Sequence, residues 1–512
     1  MQSQVRRIIH VTSNPLNLPV NDDDGWQYLA TDQDAEAFGR QPLLVHNQLN
    51  PVYQNDVLLM DTTSPWWQQP DTLLYLPWGQ VLVDQDSVTA AQRALLPAQL
   101  NVNFCGFNRP DEVYRIIRTY FFMEPVVRWL HLSDWNIGIN VDAVNQLGRA
   151  AAVINFGETT EWQDLLNLRT TITQTSWSEL LVRGTATVEE PTTQVKLIAE
   201  CVDAQSGGIT WSHEVNQNEN NQFEVTIPAT GYETNVQLRV QVHGSGSLRL
   251  SDWVVRRSRG TLGQAALGSR PLVSSEWNRD GVEYCFYPGN PKRALTVIFA
   301  DRNLNENFME PGVARSLNGP TLVLFDLRFE DGGFFLGDTG LDSAITQLIS
   351  GLQRVLGITP EQTVYGGMST GTNAAIRIAQ QLVPGTLVLA KPVVNVGQTA
   401  LQARLARTND YPGSLDLLLR LQRELSAERA TQLDQASWAD LRRGKLDRTA
   451  LIIGFMSDDD YDATAAHQLL ELWRTHFPAA RILHKEFVGR HRDNTSDVLR
   501  WWKFQLQLNT QA

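Results

Sequence analysis

The chain has 512 residues, 42% of them hydrophobic and 19% charged, which is enough apolar content for sizeable cores and excludes a disordered chain. At about 150 residues per domain, the length implies roughly three domains. Its formal net charge of −13 excludes a general nucleic-acid binder, which needs cations to neutralise phosphates.

No apolar run reaches the ~18 residues of a membrane-spanning helix. Arg6 and Arg7 near the start are not followed by the apolar stretch of a secretory signal. Cys105, Cys201 and Cys285 are too few and too far apart for a disulfide framework or a metal-ligand pair. The expectation is a soluble cytoplasmic protein without bound metal. The 15 tryptophans read as core and interface packing ahead of sugar stacking.

Residues 1–175 read as a mixed α/β region. Turns are expected at Asn14-Pro15, Asn50-Pro51 and Pro65-Trp66-Trp67, strands at 73–76 and 81–83, and a helix over 88–96. An apolar run over 150–156 ends at Gly157-Glu158. Over 176–260 the period changes to two: Val236, Leu238, Val240 and Val242 alternate with Gln237, Arg239, Gln241 and His243. Phe223, Val225 and Ile227 alternate likewise until Pro228, and 196–201 adds another strand. Turns are expected at Gly207-Gly208, 218–221 and 244–246. Short strands at this spacing predict an antiparallel β-sandwich.

In 261–512, apolar runs at 295–300, 321–325, 363–366, 386–390, 450–454 and 482–487 alternate with helical stretches such as 341–356 and 373–382. That alternation predicts a mostly parallel sheet with helices on both faces. Residues 397–448 carry Leu, Arg, Gln and Glu at helical spacing and read as a helical insertion capping the sheet.

Open parallel sheets gather functional groups at the carboxyl ends of their strands. Three such ends stand out. Gly367-Met368-Ser369-Thr370-Gly371 follows an apolar run and precedes an Ala-rich helix, the setting of a nucleophile elbow. The turn should strain the Ser369 backbone, and the Thr370 N–H should face a developing oxyanion. Without chemistry, the same segment is a glycine-rich turn with a capping serine. Asp458, Asp459, Asp460 and Asp462 follow the run at 450–454 and could orient an imidazole, cap the next helix or hold a cation. His491 follows the last strand, completing the order serine, acid, histidine of α/β-hydrolase folds.

Together these segments resemble the second accessory secretory protein family of the Gram-positive accessory Sec system. The resemblance rests on the serine elbow, on Asp459-Asp460-Tyr461-Asp462 with Ala463-Thr464-Ala465, and on Gly489-Arg490-His491-Arg492-Asp493. The stretch 327–337 and Lys391-Pro392-Val393-Val394-Asn395-Val396-Gly397 support it. It covers about 290–505 well and the rest only in layout. It implies an α/β-hydrolase-like enzyme that O-acetylates N-acetylglucosamine on serine-rich-repeat glycoprotein adhesins and supports their export. Implied partners are the other two accessory secretory proteins, the translocase motor and the glycosylated adhesin, with any membrane contact running through the translocase. The acetyl donor is a co-substrate, acetyl-CoA being one candidate, and no cofactor is implied. Ser369 becomes the nucleophile, His491 the base and Asp459 the acid, with Asp458 and Asp460 as neighbouring alternatives. One departure is Ala300-Asp301, where the family pattern has a Ser-Gly pair and a second oxyanion donor is expected; that donor stays unassigned. Rival readings are a carboxylesterase or deacetylase with the same residues, and a non-catalytic export adaptor or chaperone.

Overall fold

The computed structural model describes residues 6–20, 25–31, 44–45, 48–53, 56–61, 63–64, 76, 79–91, 93, 102–122, 125–138, 140–275, 281–301, 308–330, 333–337, 340–405, 411 and 413–511. The expected turn at Pro65-Trp66-Trp67, residues 73–75 and part of the expected helix over 88–96 lie outside them. The fold is mixed α/β with several sheets, and the chain divides into two compact units.

One unit comprises residues 1–123, 259–270 and 285–290. Its sheet is parallel, built from β1 (Arg6–Val11), β2 (Trp26–Thr31), β3 (Val57–Met60), β4 (Val81–Asp84) and β5 (Asn103–Cys105), in the order β2-β1-β3-β4-β5. Strand residues are apolar on both faces because both faces are covered. Ile8, Val57, Leu59 and Leu82 pack with Val113 and Ile117 of helix α1 (Pro110–Tyr120), while Ile9, Leu58, Val81 and Val83 form a second core.

The other unit comprises residues 124–258, 271–284 and 291–512. Its first part is antiparallel: β6 (Val141–Gln146), β7 (Ala152–Leu168), β8 (Leu180–Val188), β9 (Gln194–Asp203), β10 (Ile209–Asn216), β11 (Gln222–Ile227) and β12 (Thr234–Arg257). β12 is 24 residues long and serves both halves. Its first half pairs with β9, Val236 opposite Cys201, and its second half pairs with β8, Val255 opposite Val182. Gly244 and Gly246 lie between the halves with φ of +107° and +131°, values that only glycine adopts cheaply. The strand bends there, and inward residues of both halves, among them Val240 and Trp253, share one core with Leu197 of β9 and Phe223 of β11.

Two element expectations and two boundaries change. Residues 244–246 are not a turn but the bend within β12, and the run at 150–156 does not stop at Gly157, because β7 continues to Leu168. The glycines there loosen the strand pairing without ending it; the register of β7 against β12 shifts just after Phe156. The antiparallel sheet therefore starts well before residue 176, and residues 261–270 cluster with the N-terminal unit instead of with the parallel part that follows.

The last part carries six parallel strands of an eight-stranded sheet. These are β13 (Leu295–Phe299), β14 (Thr321–Asp326), β15 (Thr363–Met368), β16 (Thr386–Ala390), β17 (Ala450–Met456) and β18 (Ile482–Phe487), in the order β14-β13-β15-β16-β17-β18. The direction of succession reverses between β13 and β15, which opens a crevice at their carboxyl ends. Helices α2 (Glu310–Leu317), α3 (Leu341–Leu356) and α4 (Gly371–Leu382) connect the first strands. α5 (Val396–Leu405), α6 (Ser414–Gln422) and α7 (Ala427–Arg443) make the region 397–448 helical, as its spacing predicts. α8 (Ala465–His476) and α9 (Thr495–Asn509) complete the unit. Asp416 of α6 accepts backbone N–H groups of Arg149, Ala150 and Ala151 beside β7, at 3.1–3.3 Å, and so ties the insertion to the antiparallel part. Among the described residues, no helix is long and apolar enough to cross a membrane.

Gly184 of β8 tests the packing of the antiparallel core. A Cβ there would lie 2.1 Å from the Trp253 indole, a rigid and buried ring. Gly184→Ala is expected to cost about 1–3 kcal/mol through overpacking. A denaturant titration should show a lowered midpoint with an unchanged far-UV spectrum.

Candidate functional site

β15 ends at Met368 and α4 begins at Gly371, so Ser369 and Thr370 turn the chain. Ser369 has φ +48°, a left-handed conformation that a residue with a Cβ holds only under constraint. The constraint is visible. The Ser369 N–H donates to the Ala390 carbonyl at 2.9 Å, and the Thr372 hydroxyl donates to the Ser369 carbonyl at 2.5 Å. A Cβ at 367 would stand 2.7 Å from the Gly371 carbonyl oxygen, and one at 371 would stand 2.1 Å from that of Phe299. Both glycines are therefore required by close approach of backbone to backbone.

His491 lies between β18 and α9, and Asp459 lies between β17 and α8. The Ser369 Oγ is 3.0 Å from His491 Nε2. On the far side of the ring, His491 Nδ1 is 2.9 Å from Asp459 Oδ2 and 3.1 Å from Oδ1. With its proton on Nδ1, the imidazole donates to Asp459 and leaves Nε2 to accept from the serine. All three residues are buried, at 3%, 4% and 9% exposure for Ser369, His491 and Asp459.

The structure separates the four aspartates. Asp458 accepts from the Ser457 hydroxyl at 2.7 Å. Asp460 accepts the His491 backbone N–H at 3.0 Å. Asp462 accepts N–H groups of Val394 and Asn395 at 2.8 and 2.7 Å and joins the loops after β16 and β17. Only Asp459 reaches the imidazole ring. Burial opposes its charge, but the His491 hydrogen bond and charge, with the Tyr461 and Asp462 N–H groups, hold its carboxyl below the ordinary value.

Sequence reasoning assigned no role at the site to Lys391, Tyr461 or Tyr411. The Lys391 ammonium donates to the carbonyls of His491 and Asp493 and to the Thr495 hydroxyl, fixing the histidine loop. The Tyr461 ring lies 4.4 Å from the imidazole, centroid to centroid. Tyr411 enters from the insertion, its hydroxyl bonded to Ser369 Oγ and 3.4 Å from His491 Nε2. Lys391 and Tyr461 fall inside motifs that the sequence reading quoted. Tyr411 had only a Pro412-Gly413 turn signal beside it, which says nothing about direction.

At the carboxyl end of β13, the Thr370 N–H and hydroxyl donate to Asp301 Oδ1 at 3.3 and 2.9 Å. The Asp301 N–H in turn donates to Glu310 Oε1 at 3.0 Å. Burial, then the Asp301 charge, pushes the Glu310 carboxyl up to about 8. A cavity of about 830 Å³ in this unit lies elsewhere, lined by residues such as Arg183, Arg256, Phe329 and Arg420 and by none of Ser369, His491 and Asp459. Hydrogen-bond geometry, not cavity size, marks the candidate site.

A family model described as accessory Sec system GspB-transporter matches residues 16–510. An accessory Sec system protein of Staphylococcus aureus is 29% identical over 276 residues, 54% of this chain and 52% of that protein. One from Streptococcus gordonii is 28% identical over 285 residues, 56% of this chain and 55% of that protein. The chain thus spans about half the length of the curated relatives it matches. Among solved structures, the Glycosylation Associate Protein (Gap123) complex from Streptococcus agalactiae aligns with a TM-score of 0.76 at 22% identity, covering 98% of this chain and 97% of that one. That likeness establishes a shared fold.

Glu310 gives a stability test. A carboxyl raised in the folded state stabilises fully below its unfolded value of 4.5 and loses that contribution as pH rises to about 8. Glu310→Gln keeps the acceptor for the Asp301 N–H and removes the titration. The melting temperature of the variant should gain on that of the unmodified protein across this window, by an amount corresponding to a few kcal/mol on the order-of-magnitude scale of such shifts. Melting curves that stay parallel at every pH would refute a buried, protonated Glu310.

Proposed function

This chain belongs to the accessory Sec system GspB-transporter family, and from that premise we propose that it is an acyl-transfer component of adhesin export. It O-acetylates N-acetylglucosamine on a serine-rich-repeat glycoprotein and supports its export with the other two accessory secretory proteins and the translocase motor. The observation that carries the catalytic part is the buried line Asp459, His491, Ser369, with contacts of 2.9 Å and 3.0 Å.

The reaction runs in two half-steps. His491 Nε2 takes the Ser369 proton, and Oγ attacks the acetyl carbonyl carbon of the donor. The tetrahedral intermediate collapses, the donor's leaving group departs with the proton from His491, and Ser369 holds an acetyl ester. A sugar hydroxyl then gives its proton to His491 and attacks that ester. The Oγ–carbon bond breaks, and Ser369 recovers the proton. Asp459 stabilises the imidazolium in both halves and keeps the ring in the required tautomer. Transfer outruns hydrolysis when water is kept from the ester and the sugar is held close. Tyr411 over Ser369, with Phe334 and Tyr461 packed on it, supports that requirement.

Incubation with an activated acetyl ester and an N-acetylglucosamine oligosaccharide tests this reading by product analysis. Acetylated sugar is expected, lost in Ser369→Ala and reduced about 10³- to 10⁴-fold in Asp459→Asn. Free acetate with no acetyl sugar would replace transfer by a plain esterase. Equal activity in Ser369→Ala would leave an export adaptor without chemistry at this serine.

A further inference from the structure

We propose that Asp301 is a proton-operated gate on the oxyanion pocket. As a carboxylate it occupies the Thr370 N–H that the acyl oxygen needs, and as a neutral acid it holds that donor less tightly. The proposal rests on the acyl-transfer reading of Ser369 and adds a control on that site.

The placement comes first. In a strand-turn-helix elbow, the N–H after the nucleophile must face the oxyanion. Here that N–H, on Thr370, points at Asp301 Oδ1, and the Thr370 hydroxyl reinforces the same contact. The backbone N–H at the end of the neighbouring strand, on Asp301 itself, is taken by Glu310. Two backbone donors among the described residues at the crevice between β13 and β15 therefore already serve carboxyl groups of this chain. A carboxylate at that place carries the same charge that the transition state would develop there. It competes for the donors and repels the intermediate.

The surroundings make the charge conditional. Glu310 faces Asp301 from α2, Ser369 and Thr370 face it from the head of α4, His491 from the loop before α9, and Lys391 from the end of β16. The Thr370 and Ser369 groups and the His491 charge favour a carboxylate, as does Lys391, whose own ammonium burial weakens. Burial outweighs them and pushes the Asp301 carboxyl up from its ordinary value. Glu310 Oε2 is buried with no hydrogen-bond partner among the described residues, and the like charges of Asp301 and Glu310 oppose each other's ionisation. A neutral Asp301 is a weaker acceptor for Thr370 and gains an O–H to donate, which converts a competitor into a further donor.

Stopped-flow acylation of Ser369 by p-nitrophenyl acetate, followed from mildly acidic to alkaline pH, tests the gate on the full chain. Asp301→Asn keeps the shape and removes the charge. It is expected to acylate about tenfold or more faster than the unmodified protein on the alkaline side, within the 10²- to 10³-fold worth of an oxyanion donor. The two should converge as the pH falls. Asp301→Ser carries the same comparison if the Asn variant fails to fold. Variants that are slower than the unmodified protein, or differ from it by a constant factor at every pH, would overturn the gate while leaving Ser369 as the nucleophile. Absence of acylation in all folded proteins would overturn the acyl-transfer reading and the gate with it.

Discussion

The imidazole of His491 is the point on which the arrangement depends, because loops after several strands at this edge of the sheet hold it from different sides. Asp459 takes Nδ1, Asp460 takes the backbone N–H, Lys391 takes the backbone carbonyl, and Tyr461 lies against the ring. Nε2 is left for Ser369. These groups come from the ends of β15, β16, β17 and β18, four adjacent parallel strands that all finish on the same edge. The parallel topology therefore makes the proposed chemistry possible, since it brings residues about 120 positions apart to hydrogen-bonding distance.

The carboxyl groups around this imidazole are driven in opposite directions. Asp459 accepts from His491 and two backbone N–H groups, and its charge is favoured despite burial. Asp301 and Glu310, across the serine, face each other with too few donors, and burial raises both. Divergent environments for neighbouring acids are how one site assigns different protonation states to chemically equal groups. Asp459 fits the role of a permanent anion. Asp301 fits that of a group whose charge depends on conditions.

The parallel part was legible because its signals are local. Apolar β-branched runs bounded by turns read as buried strands, and the glycines flanking Ser369 announce a turn that allows no side chain on either side. The aspartate cluster was legible only as a set. Its members are one to four residues apart, and the direction of each side chain is set by loops that arrive from elsewhere in the chain. Gly244 and Gly246 misled for a related reason: the freedom that serves a turn also serves a bend within a continuous strand. Tyr411 was invisible, since its contact with Ser369 is made by an insertion whose own pattern encodes helices and not their landing point. Asp301 was noticed as a departure, but only coordinates place its carboxyl on Thr370.

The central claim is that a buried serine is made nucleophilic by the histidine behind it. Reaction with an alkyl fluorophosphonate, followed by peptide-mapping mass spectrometry, measures this without reference to acetyl donor, sugar or export partner. A single phosphonate adduct on Ser369, abolished in a folded His491→Ala protein, is the result the account predicts. A folded protein that stays unlabelled, or a Ser369 adduct that forms at the same rate without His491, would contradict it.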